Sequence, residues 1–162
     1  MTTSRPDPAF LLRHPAHLIA FGFGAGLAPK APGTAGTVLG LPLFWGIAAL
    51  APDLPARLAL LAAAFLLGVW ACARAGRALG VADHGGIVWD EIVAYALVLL
   101  FTPPGWLWIA LAFALFRLFD ILKPWPIRFF DTRLKNGFGV MFDDLLAAVY
   151  AIAVLKGMEW LA

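Results

Sequence analysis

The stretch Ile92–Phe116, IVAYALVLLFTPPGWLWIALAFALF, contains no charged residue and decides the fold. Its middle is Thr102-Pro103-Pro104-Gly105, and such a cluster of proline and glycine marks a tight turn. Each half holds only about ten apolar residues, whereas a membrane helix needs about 20. We therefore predict two helices joined by a hairpin. Each should continue into a charged motif that brings Asp90, Glu91, Arg117 and Asp120 to the bundle interior or the membrane interface.

The composition of the whole chain is that of a membrane protein. Of its 162 residues, 62% are hydrophobic and 14% are charged, and the mean hydropathy is +0.86. A water-soluble globule of this composition would expose a large apolar surface, so the surplus must face acyl chains. The net charge of +2 comes from scattered Lys and Arg without a basic run, which argues against nucleic-acid binding. Cys72 is the single cysteine, which excludes an intramolecular disulfide and a cysteine-based zinc site.

Three further apolar runs predict membrane helices. The first, Ala31–Pro52, predicts a helix that starts after the Pro32-Gly33-Thr34 turn. The second, Leu58–Ala73, is slightly short for a membrane helix unless it extends past Arg74. The last runs from Leu145 to the C-terminus. Together with the hairpin, these runs predict an all-α integral membrane bundle of about five membrane helices.

The positive charges predict the orientation of this bundle. We expect residues 1–162 to form one membrane-embedded domain, with 1–30 as a cytoplasmic or interfacial N-terminal segment. With a cytoplasmic N-terminus, all but Arg57 and Lys156 of the 12 Lys and Arg residues lie on the cytoplasmic side, as the positive-inside rule requires. The same orientation brings seven of the 10 acidic residues to that face, namely Asp83, Asp90, Glu91, Asp120, Asp131, Asp143 and Asp144.

Convergent carboxylates near a bilayer indicate a metal site. Their mutual repulsion needs a cation, and oxygen ligands without a His or Cys set favour Mg²⁺. Asp90 and Glu91 are adjacent, so on a helix they diverge by about 100° and need not bind the same ion. The alternative is that single acids in this group are solvated helix caps, because Asp favours helix N-termini.

The glycine-rich segment 22–37 precedes a predicted helix and is a candidate phosphate-binding loop. Its backbone N–H groups and the helix N-terminus could face a phosphate, assisted by Lys30 and by the hydroxyls of Thr34 and Thr37. No Gly-Lys-Ser/Thr follows, so a nucleotide-binding loop is not indicated. The alternative is close packing of small residues between membrane helices.

The connector Lys123-Pro-Trp-Pro-Ile-Arg128 is a second candidate anion site. Two prolines stiffen it and fix the positions of Lys123 and Arg128, which could hold an anionic head group. The alternative is a rigid interfacial turn in which Trp125 anchors in the head-group layer and Arg128 contacts lipid phosphate.

Four strings carry a resemblance to a known family: GFGAGLAPKAPGTAG (22–36), DHGGIVWDE (83–91), FDILKPWPI (119–127) and GVMFDDL (139–145). In order and spacing the chain resembles phosphatidylglycerophosphatase A. The resemblance implies an Mg²⁺-dependent enzyme of the bacterial inner membrane that converts phosphatidylglycerophosphate to phosphatidylglycerol. It also implies catalytic and metal-binding roles for Asp83, Asp90, Glu91, Asp120, Asp143 and Asp144. Ala94 departs from the family pattern, where glycine is expected after the Asp-Glu pair.

The expected reaction uses one or two Mg²⁺ ions held by these carboxylates, with Lys30, Thr34, Lys123 and Arg128 on the substrate phosphates. Attack on phosphorus by water or by a carboxylate stays open, and so does the oligomeric state. The expected partners are the lipid substrate and membrane lipids. A phosphatidyltransferase would need an Asp-Gly-x2-Ala-Arg string, which is absent. In a channel the acids would line the membrane midplane, whereas these are predicted near one face.

Overall fold

The computed structural model describes residues 6–161, and this part of the chain is helical, without strands. Arg5, which we counted on the cytoplasmic side, lies outside the described residues. The helices are α1 (Pro8–Leu12), α2 (Pro15–Ala20), a 3₁₀ segment (Gly22–Leu27), α3 (Pro32–Leu50), α4 (Leu54–Leu79), α5 (Trp89–Leu100), α6 (Trp106–Leu122), α7 (Ile127–Arg133) and α8 (Gly137–Leu161).

Three of the described helices, α3, α4 and α8, are long and apolar enough to cross a membrane. Helix α5 has 12 residues and α6 has 17. At 1.5 Å per residue they measure about 18 and 25 Å, less than the hydrocarbon core of about 30 Å. The all-helical membrane bundle is therefore confirmed, while the count of about five membrane helices and the cytoplasmic N-terminus stay predictions.

The predicted hairpin is present. Helix α5 ends at Leu100 and α6 begins at Trp106, so the break falls on the proline and glycine cluster. Gly105 has φ 123°, a conformation that favours glycine because it carries no Cβ. Both helices continue into the charged motifs, since α5 contains Asp90 and Glu91 in its first turn and α6 contains Asp120 in its last.

Three helix starts differ from the prediction, and one of them is that of α4, which begins at Leu54 rather than Leu58. Helix α3 begins at Pro32 itself, because the fixed φ of proline suits the first helical turn. Helix α8 begins at Gly137, well before Leu145, and the Asn136 side chain accepts a hydrogen bond from the Gly139 N–H at 2.9 Å. Asp143 and Asp144 consequently lie inside a helix, where both are buried.

Helix α5 is the centre of the bundle, and small residues let its neighbours approach. A Cβ on Gly36 of α3 would lie 2.7 Å from Val88 Cβ, and one on Gly40 would lie 2.9 Å from Tyr95 Cδ1. The Tyr95 hydroxyl donates a hydrogen bond to the Ile109 carbonyl of α6 at 3.0 Å. The close-packing interpretation of the glycines therefore holds for α3, and it fixes α3 against α5.

The N-terminal segment packs on the end of the bundle. Phe10 and Phe21 are buried in the core, and His17 stacks on Phe10 with ring centroids 4.2 Å apart. The Val88 N–H donates to the Ala20 carbonyl at 2.8 Å, which ties this segment to the residue before α5. The start of α5, and with it the acidic pair, is thereby held in position.

Candidate active site

The core of the site is a group of three carboxylates, which we call the open cluster: Asp90 and Glu91 on α5 and Asp144 on α8. One oxygen of each lies within 4.8 Å of the others. Asp90 and Asp144 are buried and the Glu91 side chain is 12% exposed. Although Asp90 and Glu91 point in different directions from α5, the packing of α8 against α5 places Asp144 close to both. Asp120 is a near neighbour of Asp144.

One oxygen of each acid in the open cluster lacks a hydrogen-bond donor. Asp90 Oδ1, Glu91 Oε2 and Asp144 Oδ2 are buried without a hydrogen-bond partner among the described residues. Buried carboxylates without partners are costly, and a bound cation offsets the cost. Oxygen donors alone suit a hard divalent ion such as Mg²⁺, Mn²⁺ or Ca²⁺. The residues present therefore fit a metal ion, and they do not by themselves identify which one.

Arg117, near the end of α6, is the cation beside this cluster. Its Nη1 lies 3.5 Å from Glu91 Oε1 and 2.5 Å from Asp120 Oδ2, and 3.5 Å from Thr37 Oγ1. The Thr37 hydroxyl donates to the Gly33 carbonyl at 2.8 Å. The sequence predicts Arg117 at the bundle interior or the interface but not as a site residue, although its charge directly follows an uncharged membrane run.

The glycine-rich loop reaches this site through Gly33. A Cβ at Gly33 would clash with Glu91 Oε1 and would lie 3.1 Å from Arg117 Nη1. A larger residue at position 33 would therefore displace the Glu91 and Arg117 side chains from their present positions. Thr34 follows in the same turn and is half-buried, while Lys30 is exposed in the loop before α3.

A second acidic group, which we call the paired cluster, consists of Asp131 on α7 and Asp143 on α8 around Lys123. The Lys123 ammonium is bonded to Asp143 and lies 3.0 Å from Asp131 Oδ1, and Lys135 lies 3.7 Å from the same oxygen. Burial alone would raise the pKa of Asp131, but the hydrogen bond and charge of Lys123 hold that pKa below its usual value. Burial alone would lower the pKa of Lys123, but Asp143 and Asp131 raise it, so the ammonium stays charged.

The other predicted site residues are not members of the open cluster. Asp83 is exposed in the loop between α4 and α5, and Arg128 is exposed on α7. Neither makes an ion pair with another described residue. Lys123, predicted to bind substrate phosphate, contacts two carboxylates in this structure. The structure thus brings together Asp90, Glu91 and Asp144 with Asp120 nearby, and places Asp143 in the paired cluster.

Fold and site together define a class: a helical membrane protein with a buried carboxylate centre suited to a hard cation and a guanidinium beside it. Comparison with known proteins defines the family. The family model described as Phosphatidylglycerophosphatase A matches residues 18–159, and the chain belongs to this family.

Curated relatives agree with the family assignment. The chain is 48% identical to "Phosphatidylglycerophosphatase A" of Haemophilus influenzae, over 99% of this chain and 98% of the relative. It is 40% identical to the Escherichia coli protein of the same name, over 92% of this chain and 87% of the relative. A Bacteroides thetaiotaomicron protein named "Putative phosphatidylinositol-3-phosphatase" is 39% identical, over 88% of this chain and 92% of the relative. No solved structure matches the chain. The predicted family and the prediction of a phosphatase are confirmed.

Proposed function

We propose that this protein hydrolyses the terminal phosphate of phosphatidylglycerophosphate, giving phosphatidylglycerol and inorganic phosphate, with Mg²⁺ as its metal. The observation that carries the proposal is the open cluster, whose unpaired buried oxygens lie beside Arg117 in a chain closely related to proteins named for this activity. Oxygen ligands with few fixed partners suit Mg²⁺, which is bound through a few carboxylates together with substrate phosphates.

In this proposal Asp90, Glu91 and Asp144 hold the ion. When bound, Mg²⁺ neutralises charge on the phosphate and lowers the pKa of a coordinated water. Arg117 balances the negative charge that develops on the phosphoryl oxygens, and Asp120 fixes the position of its guanidinium through their 2.5 Å contact.

The remaining predicted residues act around this centre. If water attacks phosphorus, a carboxylate that does not hold the ion accepts its proton. Asp83 keeps its predicted catalytic and metal-binding roles. Lys30, Thr34 and Arg128, from the loops and α7, bind the phosphate groups of the substrate. Lys123 and Asp143 keep their predicted roles in phosphate and metal binding through the connector and α8.

We also propose that the protein is a single domain in the bacterial inner membrane, with a cytoplasmic N-terminus and the site on the cytoplasmic side. Helices α5 and α6 then form the hairpin that completes five membrane-embedded helices. The asymmetry of Lys and Arg supports this orientation. Maleimide labelling in intact cells tests it: Arg57→Cys should react with an impermeant reagent, and Arg128→Cys should react only after the cells are opened.

The enzymatic test is phosphate release by purified protein from phosphatidylglycerophosphate, with and without Mg²⁺, and with phosphatidic acid as competitor. We expect Mg²⁺-dependent release that phosphatidic acid inhibits weakly. Because one relative is named for another lipid, phosphatidylinositol 3-phosphate belongs in the same assay. Faster release from that lipid would replace the proposed substrate, and release without any divalent ion would contradict the proposed metal.

A further inference from the structure

A cleft of about 340 Å³ lies between α4, α5 and α8, and it ends at the open cluster. Its wall is apolar, formed by residues such as Leu61, Phe65, Val93 and Met141. Among the described residues that line it, Asp90 alone is charged. The cleft therefore joins an apolar groove to a carboxylate that we place at the metal.

The cleft opens on the outer surface of α4. Leu58 and Leu66 line it and are 38% and 68% exposed, whereas Leu61 and Met141 on its floor are 6% and 1% exposed. Helix α4 is long and apolar enough to cross the membrane, so its exposed leucines face lipid. The opening is thus toward the bilayer, and the floor is closed by the bundle.

At the inner end of the cleft lies the Asp90 carboxylate, whose hydrogen bonds are incomplete. Asp90 is buried there, and its Oδ1 has no hydrogen-bond partner among the described residues. A ligand in the cleft would therefore have apolar surface along its length and a polar or metal-bound group at Asp90. A lipid phosphomonoester has both features, an apolar chain and a phosphate group at its end.

The dimensions fit a segment of one acyl chain. From Asp90 to Leu97 the lining of α5 runs about 10 Å at 1.5 Å per residue. A methylene is similar in size to a water molecule, whose share of liquid volume is about 30 Å³, so the cleft holds about ten methylenes. Its volume is also at the lower end of the range of ligand pockets, about 300 to 1,000 Å³.

We propose that this cleft seats an acyl chain of the lipid phosphomonoester, which enters sideways from the bilayer with its head group at the Asp90 end. The inference rests on the proposed function, because the substrate must be a lipid. The chain moves from one apolar environment to another, so the cleft adds little binding energy. Its effect is to orient the phosphate at the metal, and correct orientation of a reacting group is a large part of catalysis.

Two variants on neighbouring residues of α4 test this. Ala62 lines the cleft, whereas Ala63 does not, and both are exposed and lie in the same apolar helix. Ala62→Phe fills the opening, and Ala63→Phe adds the same ring to a different side of α4. We expect Ala62→Phe to lower the ratio of kcat/KM for a long-chain substrate to kcat/KM for its dihexanoyl analogue about tenfold. Ala63→Phe should leave the ratio unchanged.

Photolabelling gives a readout that is independent of turnover. Phosphatidylglycerophosphate with a diazirine in the middle of one acyl chain, carried in vesicles without divalent ions, should label floor residues such as Leu61 and Met141 in the wild type and in Ala63→Phe. Ala62→Phe should lose most of this label. Thermal unfolding in detergent should give similar midpoints for the two variants, because both substituted residues face lipid.

The outcomes separate the two proposals. If the wild type releases no phosphate from the lipid but its floor residues are labelled, the proposed function fails and the acyl site stands. Label confined to the outer faces of the helices would indicate boundary lipid only and would overturn the acyl site. An equal substrate ratio in Ala62→Phe and Ala63→Phe would also overturn it, as would protection of the floor by a second copy of this chain.

Discussion

The open cluster and the paired cluster both consist of carboxylates at the same end of the bundle, yet they differ in the cations that contact them. In the paired cluster, Lys123 bonds to Asp131 and Asp143, and Lys135 adds a further positive charge. In the open cluster, each of the three acids keeps a buried oxygen without a partner. Burial of a carboxylate therefore does not by itself mark the chemistry. Asp143 also keeps one buried oxygen without a partner, but its other oxygen bonds to Lys123, whereas Asp90 and Asp144 form no ion pair with a described residue. Buried carboxylates without such a cation destabilise the fold unless a metal ion binds.

The largest expected effect is at Asp90. Asp90→Asn keeps the size of the side chain but removes the charge that holds the metal, so we expect kcat to fall by about 10³-fold or more. Folding should be retained, since the substitution relieves repulsion with Glu91 and Asp144. Phosphate release and a thermal melt of the same preparation measure both, and wild-type turnover in this variant would remove Asp90 from the site.

Arg117→Met tests the role of the guanidinium beside the open cluster. It removes the guanidinium that lies between Glu91 and Asp120, and a lost charge-stabilising group costs about 10² to 10³ in kcat. Arg117→Lys keeps the charge but not the planar guanidinium, so it should recover part of the rate. If Arg117→Met lowers only stability and kcat is unchanged, Arg117 has a structural role alone.

Lys123→Met tests whether the paired cluster is structural. It leaves Asp143 buried without its cation, and breaking a buried ion pair costs about 3 to 5 kcal/mol. Lys123 is 24% exposed, so we expect a smaller loss of about 2 kcal/mol in the free energy of unfolding.

Asp143→Asn in the Lys123→Met background is the control, because it removes the stranded charge and should restore part of the stability. Unfolding in denaturant with and without Mg²⁺ measures these differences. A loss of Mg²⁺-induced stabilisation in Lys123→Met would instead support the roles in phosphate and metal binding proposed for Lys123 and Asp143.

The smallest expected effect is the acid dependence due to Asp131. Its pKa is lowered in the folded state, so its contribution to stability is present above its unfolded pKa and is lost as pH falls through the folded value. Wild type should therefore exceed Asp131→Asn in stability at pH 6, by less than about 1 kcal/mol. This advantage should shrink below about pH 4. An advantage that grows in acid would contradict the Lys123–Asp131 pairing.

The sequence predicts the parts of the fold that depend on local chemistry. The hairpin follows from Thr102–Gly105, and the extension of the second helix past Arg74 is confirmed because α4 continues to Leu79. The start of α8 could not be predicted from an uncharged run, since Asp143 and Asp144 are charged yet lie within the helix. Charge marks the end of a membrane run, but it does not end a helix.

The site is predictable in composition but not in pairing. Clustering of charge predicts that the acids converge on one face. Which acid meets a cation depends on packing between elements far apart in sequence, as when Arg117 approaches Thr37 and Glu91. No local pattern contains that information. The sequence therefore could not show that Asp143 pairs with a lysine whereas Asp144 does not.

The central claim is that Asp90, Glu91 and Asp144 form a divalent cation site, and binding of Mn²⁺ followed by electron paramagnetic resonance tests it most directly. We predict saturable Mn²⁺ binding that Mg²⁺ displaces, that Asp144→Asn loses, and that Asp131→Asn in the paired cluster retains. Mn²⁺ binding that is unchanged in Asp144→Asn, or lost only in Asp131→Asn, would contradict the account.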